Sequence, residues 1–172
     1  HLSLGACLQT AGKHEEAAAA FRAAIACRPD YAEAHSNLGV ALQEMGSLDE
    51  AIAAHARAVS LAPGNAALHC NRGVAFLMLN QLDQALACYD RTLEVRPNHI
   101  EALYNRGHAL ESVKRYIDAL AAYDQALAVR PEFPEAACNR GNVLRELRQY
   151  DAALTSYDRA IALRPDFAEA YS

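Results

Sequence analysis

Apolar and small positions along this chain recur at an interval far longer than one helical turn. Large aliphatic or aromatic side chains stand at Leu8, Leu42, Phe76, Leu110 and Leu144, each 34 residues after the last. Rings follow in the same register at Phe21, His55, Tyr89, Tyr123 and Tyr157. Three further ladders share that spacing: the glycines Gly5, Gly39, Gly73, Gly107 and Gly141, the alanines Ala17, Ala51, Ala85, Ala119 and Ala153, and the prolines Pro29, Pro63, Pro97, Pro131 and Pro165. Ladders of such different chemistry do not share one register by chance. The chain is an internal repeat.

Each unit predicts two helices, as in Ala32 to Met45 and Leu48 to Leu61, joined at Gly46-Ser47 and ended by Pro63-Gly64. Both run about 14 residues, or ~21 Å. Start signals accompany them: Asp30 with Glu33, Ser47 with Glu50, Asn98 with Glu101 and Asp166 with Glu169 have the spacing of a capping box, and Pro134 suits a first helical position. Gly and Ala lack bulk, so the antiparallel helices of a hairpin approach closely where those ladders run, and the ring fills the space beside them.

The fold class expected is all-α, with repeats at 1–31, 32–65, 66–99, 100–133 and 134–167. The first lacks its opening residues, and 168–172 begins a sixth. Neither end carries a polar capping helix, so the sequence reads as a piece of a longer array. Composition agrees: 38 of 172 residues are Ala, the strongest helix former.

This pattern resembles the tetratricopeptide repeat along its whole length. The resemblance implies a right-handed superhelical solenoid whose first helices line a concave face, and a noncatalytic role in binding protein. The large aromatic usual early in the first helix is replaced by His35, His69, Leu103 and Ala137, with Tyr171 alone keeping it. Lys13 and Lys114, the only lysines, fall near turns, which excludes the subclass that clamps C-terminal carboxylates with lysine.

On the first helices, Asn37, Asn71, Asn105 and Asn139 place one amide in each repeat, two residues before the glycine. Packed helices lie ~8–10 Å apart and an extended peptide advances ~3.3 Å per residue, so one amide meets about every third residue of such a ligand. An amide both donates and accepts, which suits gripping a backbone irrespective of sequence. The ladder is similar to that in the repeat region of O-linked N-acetylglucosamine transferases, where it holds extended polypeptide. The alternative is that each amide bonds a neighbouring helix and fixes the stacking.

Around the amides the implied lining is apolar at Val40, Cys70, Val74, Leu77 and Met78, and polar or mixed at Tyr104, His108, Glu111, Asn142 and Arg145. Packing between repeats is the other use for the apolar set. Arg72, Arg106 and Arg140 are candidates for a strip that receives acidic groups, or for pairing with Asp90, Asp124 or Asp158.

Charge and chemistry narrow the function. A net charge of −5 without a basic block disfavours nucleic acid. No apolar run approaches the ~20 residues of a membrane span. Five cysteines without a C-x-x-C pair suit a reducing, cytoplasmic setting, and fourteen Arg against two Lys suit a bacterial gene rich in GC. His35, His69 and Cys70 invite a metal, but their spacing is that of the repeat, and filling the vacant aromatic slot accounts for both histidines. No metal, cofactor or catalytic motif is expected, and the partner is a protein or peptide. Two other roles remain open: a substrate-selecting arm of a larger enzyme, such as a bacterial transferase of that glycosyl class, and a self-assembling array joined through its ends.

Overall fold

The computed structural model describes residues 1–164. Pro165, the Asp166 and Glu169 pair, Tyr171 and the start of a sixth repeat at 168–172 lie outside them. Among the described residues there are ten helices and no strand. The chain divides into two compact units, residues 1–95 and 96–172.

The first unit holds α1 (Leu2–Thr10), α2 (His14–Cys27), α3 (Ala32–Glu44), α4 (Leu48–Leu61), α5 (Ala66–Met78) and α6 (Leu82–Val95). Consecutive helices pack as antiparallel hairpins, and the first helices α1, α3 and α5 also touch one another in sequence. The second unit holds α7 (Ile100–Ser112), α8 (Tyr116–Val129), α9 (Pro134–Glu146) and α10 (Tyr150–Leu163), and there α7 touches α9. Within each unit the first helices therefore form one continuous layer.

Contact between ladders holds each hairpin shut. A Cβ built on Gly107 would lie 2.6 Å from Cε1 of Tyr123, and the same overlap meets Gly5 with Phe21, Gly39 with His55, Gly73 with Tyr89 and Gly141 with Tyr157. Glycine is required there because atoms of the ring occupy the place a Cβ would take. Ala17, Ala51, Ala85 and Ala119 are fully buried and Ala153 nearly so, bringing the second helix equally close. The aliphatic ladder fills what remains, with Leu42, Leu110 and Leu144 almost without exposure.

The turn inside each hairpin imposes another rule. Gly12, Gly46, Asn80, Lys114 and Arg148, again 34 apart, all take a positive φ between 56° and 76°. A left-handed residue closes the first helix while the next amide bonds back, as Ser47 N does to Leu42 O at 2.9 Å. Glycine meets this demand at least cost, and the later repeats meet it with Asn, Lys and Arg.

Helix starts depart from the sequence expectation. The N-caps of α3 and α7 are Tyr31 and His99, one residue past Asp30 and Asn98. His99 Nδ1 accepts from Ala102 N at 3.4 Å, and Asn65 caps α5 by accepting from Ala67 N at 3.1 Å. Ser47 is the N-cap of α4 but its side chain makes no capping bond. Helix α3 also stops at Glu44, with Met45 as its C-cap. Pro134 opens α9 as expected from its missing N–H.

Candidate functional site

In each unit the face formed by the first helices is built by the amides and their neighbours. Asn37, Asn71, Asn105 and Asn139 are all half-buried. Nδ2 of Asn71 donates to Oγ of Ser36 at 3.1 Å, and Nδ2 of Asn139 donates to the hydroxyl of Tyr104 at 3.1 Å. Both acceptors lie 35 residues earlier, on the first helix of the preceding repeat. At these two rungs one N–H ties adjacent repeats together, and at Asn139 the amide also faces the Tyr123 hydroxyl; Oδ1 has capacity for another partner. Asn37 meets no such acceptor, because the residue 35 before it is Leu2.

These bonds grade the rungs. Asn139→Ala is expected to cost about 1 kcal/mol, the worth of one hydrogen bond with its partner left behind, and Asn37→Ala less than about 0.5 kcal/mol. Urea unfolding of the two variants beside the parent measures the difference; equal losses would remove the stacking role of Asn139.

The lining residues fall into three groups. Val40, Val74 and Leu77 are half-buried and Met78 is 53% exposed, so in the first unit an apolar surface accompanies the amides. Cys70 does not belong to it: at 3% exposure it is packed in the interior. In the second unit His108 and Arg145 are exposed, and Tyr104, Glu111 and Asn142 are half-buried and already engaged. The Tyr104 ring centroid stands 5.0 Å from that of Phe133 and 6.0 Å from that of Tyr123, which fixes where its hydroxyl points.

Beneath this lining run the tips of the ring ladder. Tyr123 donates its hydroxyl to Oε2 of Glu111 at 2.9 Å, and Tyr157 donates to Oδ1 of Asn142 at 2.9 Å. Burial, then the Glu111 charge, holds the Tyr123 phenol above its ordinary range. His55 occupies the same slot, with Nε2 2.7 Å from Oε1 of Gln43. Gln43 stands in the ladder of Leu77 and Glu111, twelve residues before the ring, and that shared register is the signal by which sequence reasoning that missed it had access to it.

In the third repeat Leu77 stands where Gln43 and Glu111 supply a partner. The hydroxyl of Tyr89 is accordingly buried without one. Tyr89→Phe is expected to leave stability unchanged or raise it by up to about 1 kcal/mol, while Tyr123→Phe, which strips Glu111 of a donor, costs about 1 kcal/mol. Chemical denaturation of both variants checks the contrast, and a loss at Tyr89 equal to that at Tyr123 would contradict it.

The histidines of the aromatic slot are also engaged. Nε2 of His35 lies 2.9 Å from the carbonyl of Pro29, and Nε2 of His69 lies 2.8 Å from that of Pro63. A carbonyl only accepts, so Nε2 carries the proton in both and the imidazole ties its helix to the preceding proline turn. The five cysteines form no disulfide. No helix of the described residues is long and apolar enough to cross a membrane.

Comparison with known families agrees with this architecture. Tetratricopeptide repeat models match residues 32–65, 66–99 and 100–133, and a further TPR repeat model matches 10–46 and 141–172. The chain belongs to the tetratricopeptide repeat family. Its fold is the all-α solenoid of helix-turn-helix repeats.

Among solved structures it is similar to MamA, at 21% identity and a TM-score of 0.87, covering 98% of this chain and 99% of that one. It is also similar to YrrB, described as a TPR protein with an unusual peptide-binding site, at 23% identity and a TM-score of 0.78, covering 96% of this chain and 85% of that one. The pilF protein of Pseudomonas aeruginosa matches at 21% identity and a TM-score of 0.87, covering 94% of this chain and 73% of its own. No curated protein sequence matches.

Proposed function

We propose that this chain is a noncatalytic scaffold that holds extended polypeptide along the face of the first helices in each unit. The observation that carries this reading is the state of the amides: at Asn71 and Asn139 one N–H is anchored to the preceding repeat, so the half-buried group is held in one orientation with its Oδ1 acceptor to spare, and at Asn71 a second N–H as well. Such preorganisation lowers the entropy lost on binding. An extended backbone offers alternating C=O and N–H groups that match those two functions. The first unit adds apolar contacts at Val40, Val74, Leu77 and Met78, suited to an aliphatic side chain. The second adds His108 and Arg145, suited to polar or acidic groups. That YrrB, of the same fold, is described as binding peptide supports a ligand of this class.

The test compares the parent with a quadruple Asn37, Asn71, Asn105 and Asn139→Ala variant at a temperature where both are fully helical by circular dichroism. Each is used to retain proteins from the source organism's soluble extract, and overlapping peptides from retained proteins are then titrated against each by fluorescence anisotropy. Extended segments are expected to bind the parent and to bind the variant at least about tenfold more weakly, the loss of roughly 1.4 kcal/mol or more. Equal binding by both would assign the amides to stacking alone.

A further inference from the structure

Arg72 and Arg140, each following an amide rung, turn to the other side of their helices, toward the second helices, and their surroundings differ. In the second unit Arg140 lies between α8 and α10. Its Nε donates to Oδ1 of Asp124 at 2.5 Å, sixteen residues earlier, and Nη1 donates to Oγ of Ser156 at 2.6 Å, sixteen residues later. The guanidinium is 29% exposed and the Asp124 carboxylate 50% exposed, so the pair sits in a seam open to water.

Arg72 stands at the same place in the first unit, between α4 and α6. Sixteen residues before it is Ala56 and sixteen after it is Cys88. A methyl group accepts nothing, and a thiol is a weak acceptor beside a hydroxyl. The consequence is visible in the side chain: Nε of Arg72 is buried without a hydrogen-bond partner, and the guanidinium leans over the Phe76 ring, 5.2 Å from its centroid. Its charge reaches both flanking helices, where it helps to depress the His55 imidazole and opposes the burial that raises the Cys88 thiol.

We propose that the seam beside Ala56 is a binding site for a carboxylate from outside the chain, received by Arg72 as Asp124 is received by Arg140. Replacing Asp by Ala removes one carboxylate from a solvent-facing position and leaves its counter-charge in place. The guanidinium is planar and presents Nε–H and Nη–H side by side, matching the two oxygens of a carboxylate. The incoming group draws the side chain from Phe76 toward Ala56 and satisfies the orphaned Nε. Neutral His55 adds no second cation, so the site recognises a single negative charge. It is separate from the amide-bearing face, since Asn71 points to α3 while Arg72 points to α4 and α6.

Two sources carry this chemistry, an acidic side chain of a partner protein and a small free carboxylic acid. The arms of the experiment separate them. The Nε–Hε correlation of Arg72, assigned by its loss in Arg72→Lys, is followed by nitrogen-15 NMR during titration with sodium acetate, with sodium chloride at matched ionic strength, and with a capped alanine peptide carrying one central Glu or Gln. A saturable shift with acetate and with the Glu peptide, absent with chloride and the Gln peptide, is expected. Tighter binding of the peptide assigns the site to a protein partner, and tighter binding of acetate to a free acid.

Ala56→Asp supplies the carboxylate from within, on a helix position where Asp is already used at Asp90 and Asp124. In that variant the Arg72 signal is expected to start near its acetate-bound position, and affinity for either probe to fall by about tenfold or more. Absence of a carboxylate-specific shift in the parent, or an undiminished response in Ala56→Asp, would overturn the site.

Discussion

Gly107→Leu is expected to lower the free energy of unfolding by about 3 kcal/mol. The ring of Tyr123 is fully buried and lies 2.6 Å from where even a single Cβ would be placed. It has no free direction in which to yield, because its hydroxyl is bonded to Glu111 and its ring meets Tyr104. A leucine adds three further carbons to that overlap, so the hairpin of α7 and α8 must open. Gly107→Ala is expected to lose less, because alanine recovers about 1 kcal/mol of helix propensity that glycine forgoes. Gly64→Ala provides the control, since a Cβ there meets nothing within 4 Å. Urea titrations followed at 222 nm rank the three; Gly107→Leu melting with the parent would show that the small residue is not what closes the hairpin.

His55 makes the second large effect one of pH. It is fully buried, its Nε2–H is committed to Gln43, and Nδ1 has no partner. A second proton would place a charge in that unsolvated pocket. Burial foremost, and the Arg72 charge after it, lower the imidazole pKa from 6.5 to about 4. The unfolded chain takes up a proton near its ordinary pKa while the folded one does not. Stability from this group is therefore complete above pH ~6.5, declines as the pH falls below that, and levels off below about 4.

The separation corresponds to about 3 kcal/mol. His55→Tyr restores the residue used by three other repeats and removes the titration, leaving every other histidine in place. Between pH 7.5 and 4.5 the parent is expected to lose about 2–3 kcal/mol more than this variant, measured as the difference of their urea unfolding free energies. Parallel losses would show that His55 charges without cost.

Much of the fold was legible because each ladder in the sequence is one side of a contact. Glycine and ring positions face each other across every hairpin, so a residue spacing stood for a distance in space. The amide bonds were within reach by the same logic: neighbouring first helices put Asn139 beside a residue near its own place one repeat earlier, and Tyr104 is that residue.

What escaped depends on side-chain direction, which spacing alone does not set. Asp30 and Asn98 carry good capping groups, yet the chain needs one more extended residue after the proline turn, so Tyr31 and His99 take the cap. Arg140 pairs with Asp124 rather than Asp158 because it faces the seam with the preceding hairpin. Its place beside Asn71 puts Cys70 with the lining in the sequence, but its side chain is buried on α5.

Side-chain bonds recur as offsets along the chain: twelve back from the ring at His55 and Tyr123 and fifteen back at Tyr157, sixteen either side of Arg140, thirty-five back from Asn71 and Asn139. None refers to an absolute position. A tandem duplication of 34 codons anywhere in the reading frame would therefore set each copied residue among the same ladder positions, and a deletion of the same length would rejoin matching ends. Variation can then proceed rung by rung, as His-Ala at residues 55 and 56 beside Tyr-Asp at the matching places of the three later repeats illustrates, while length becomes a count of repeats.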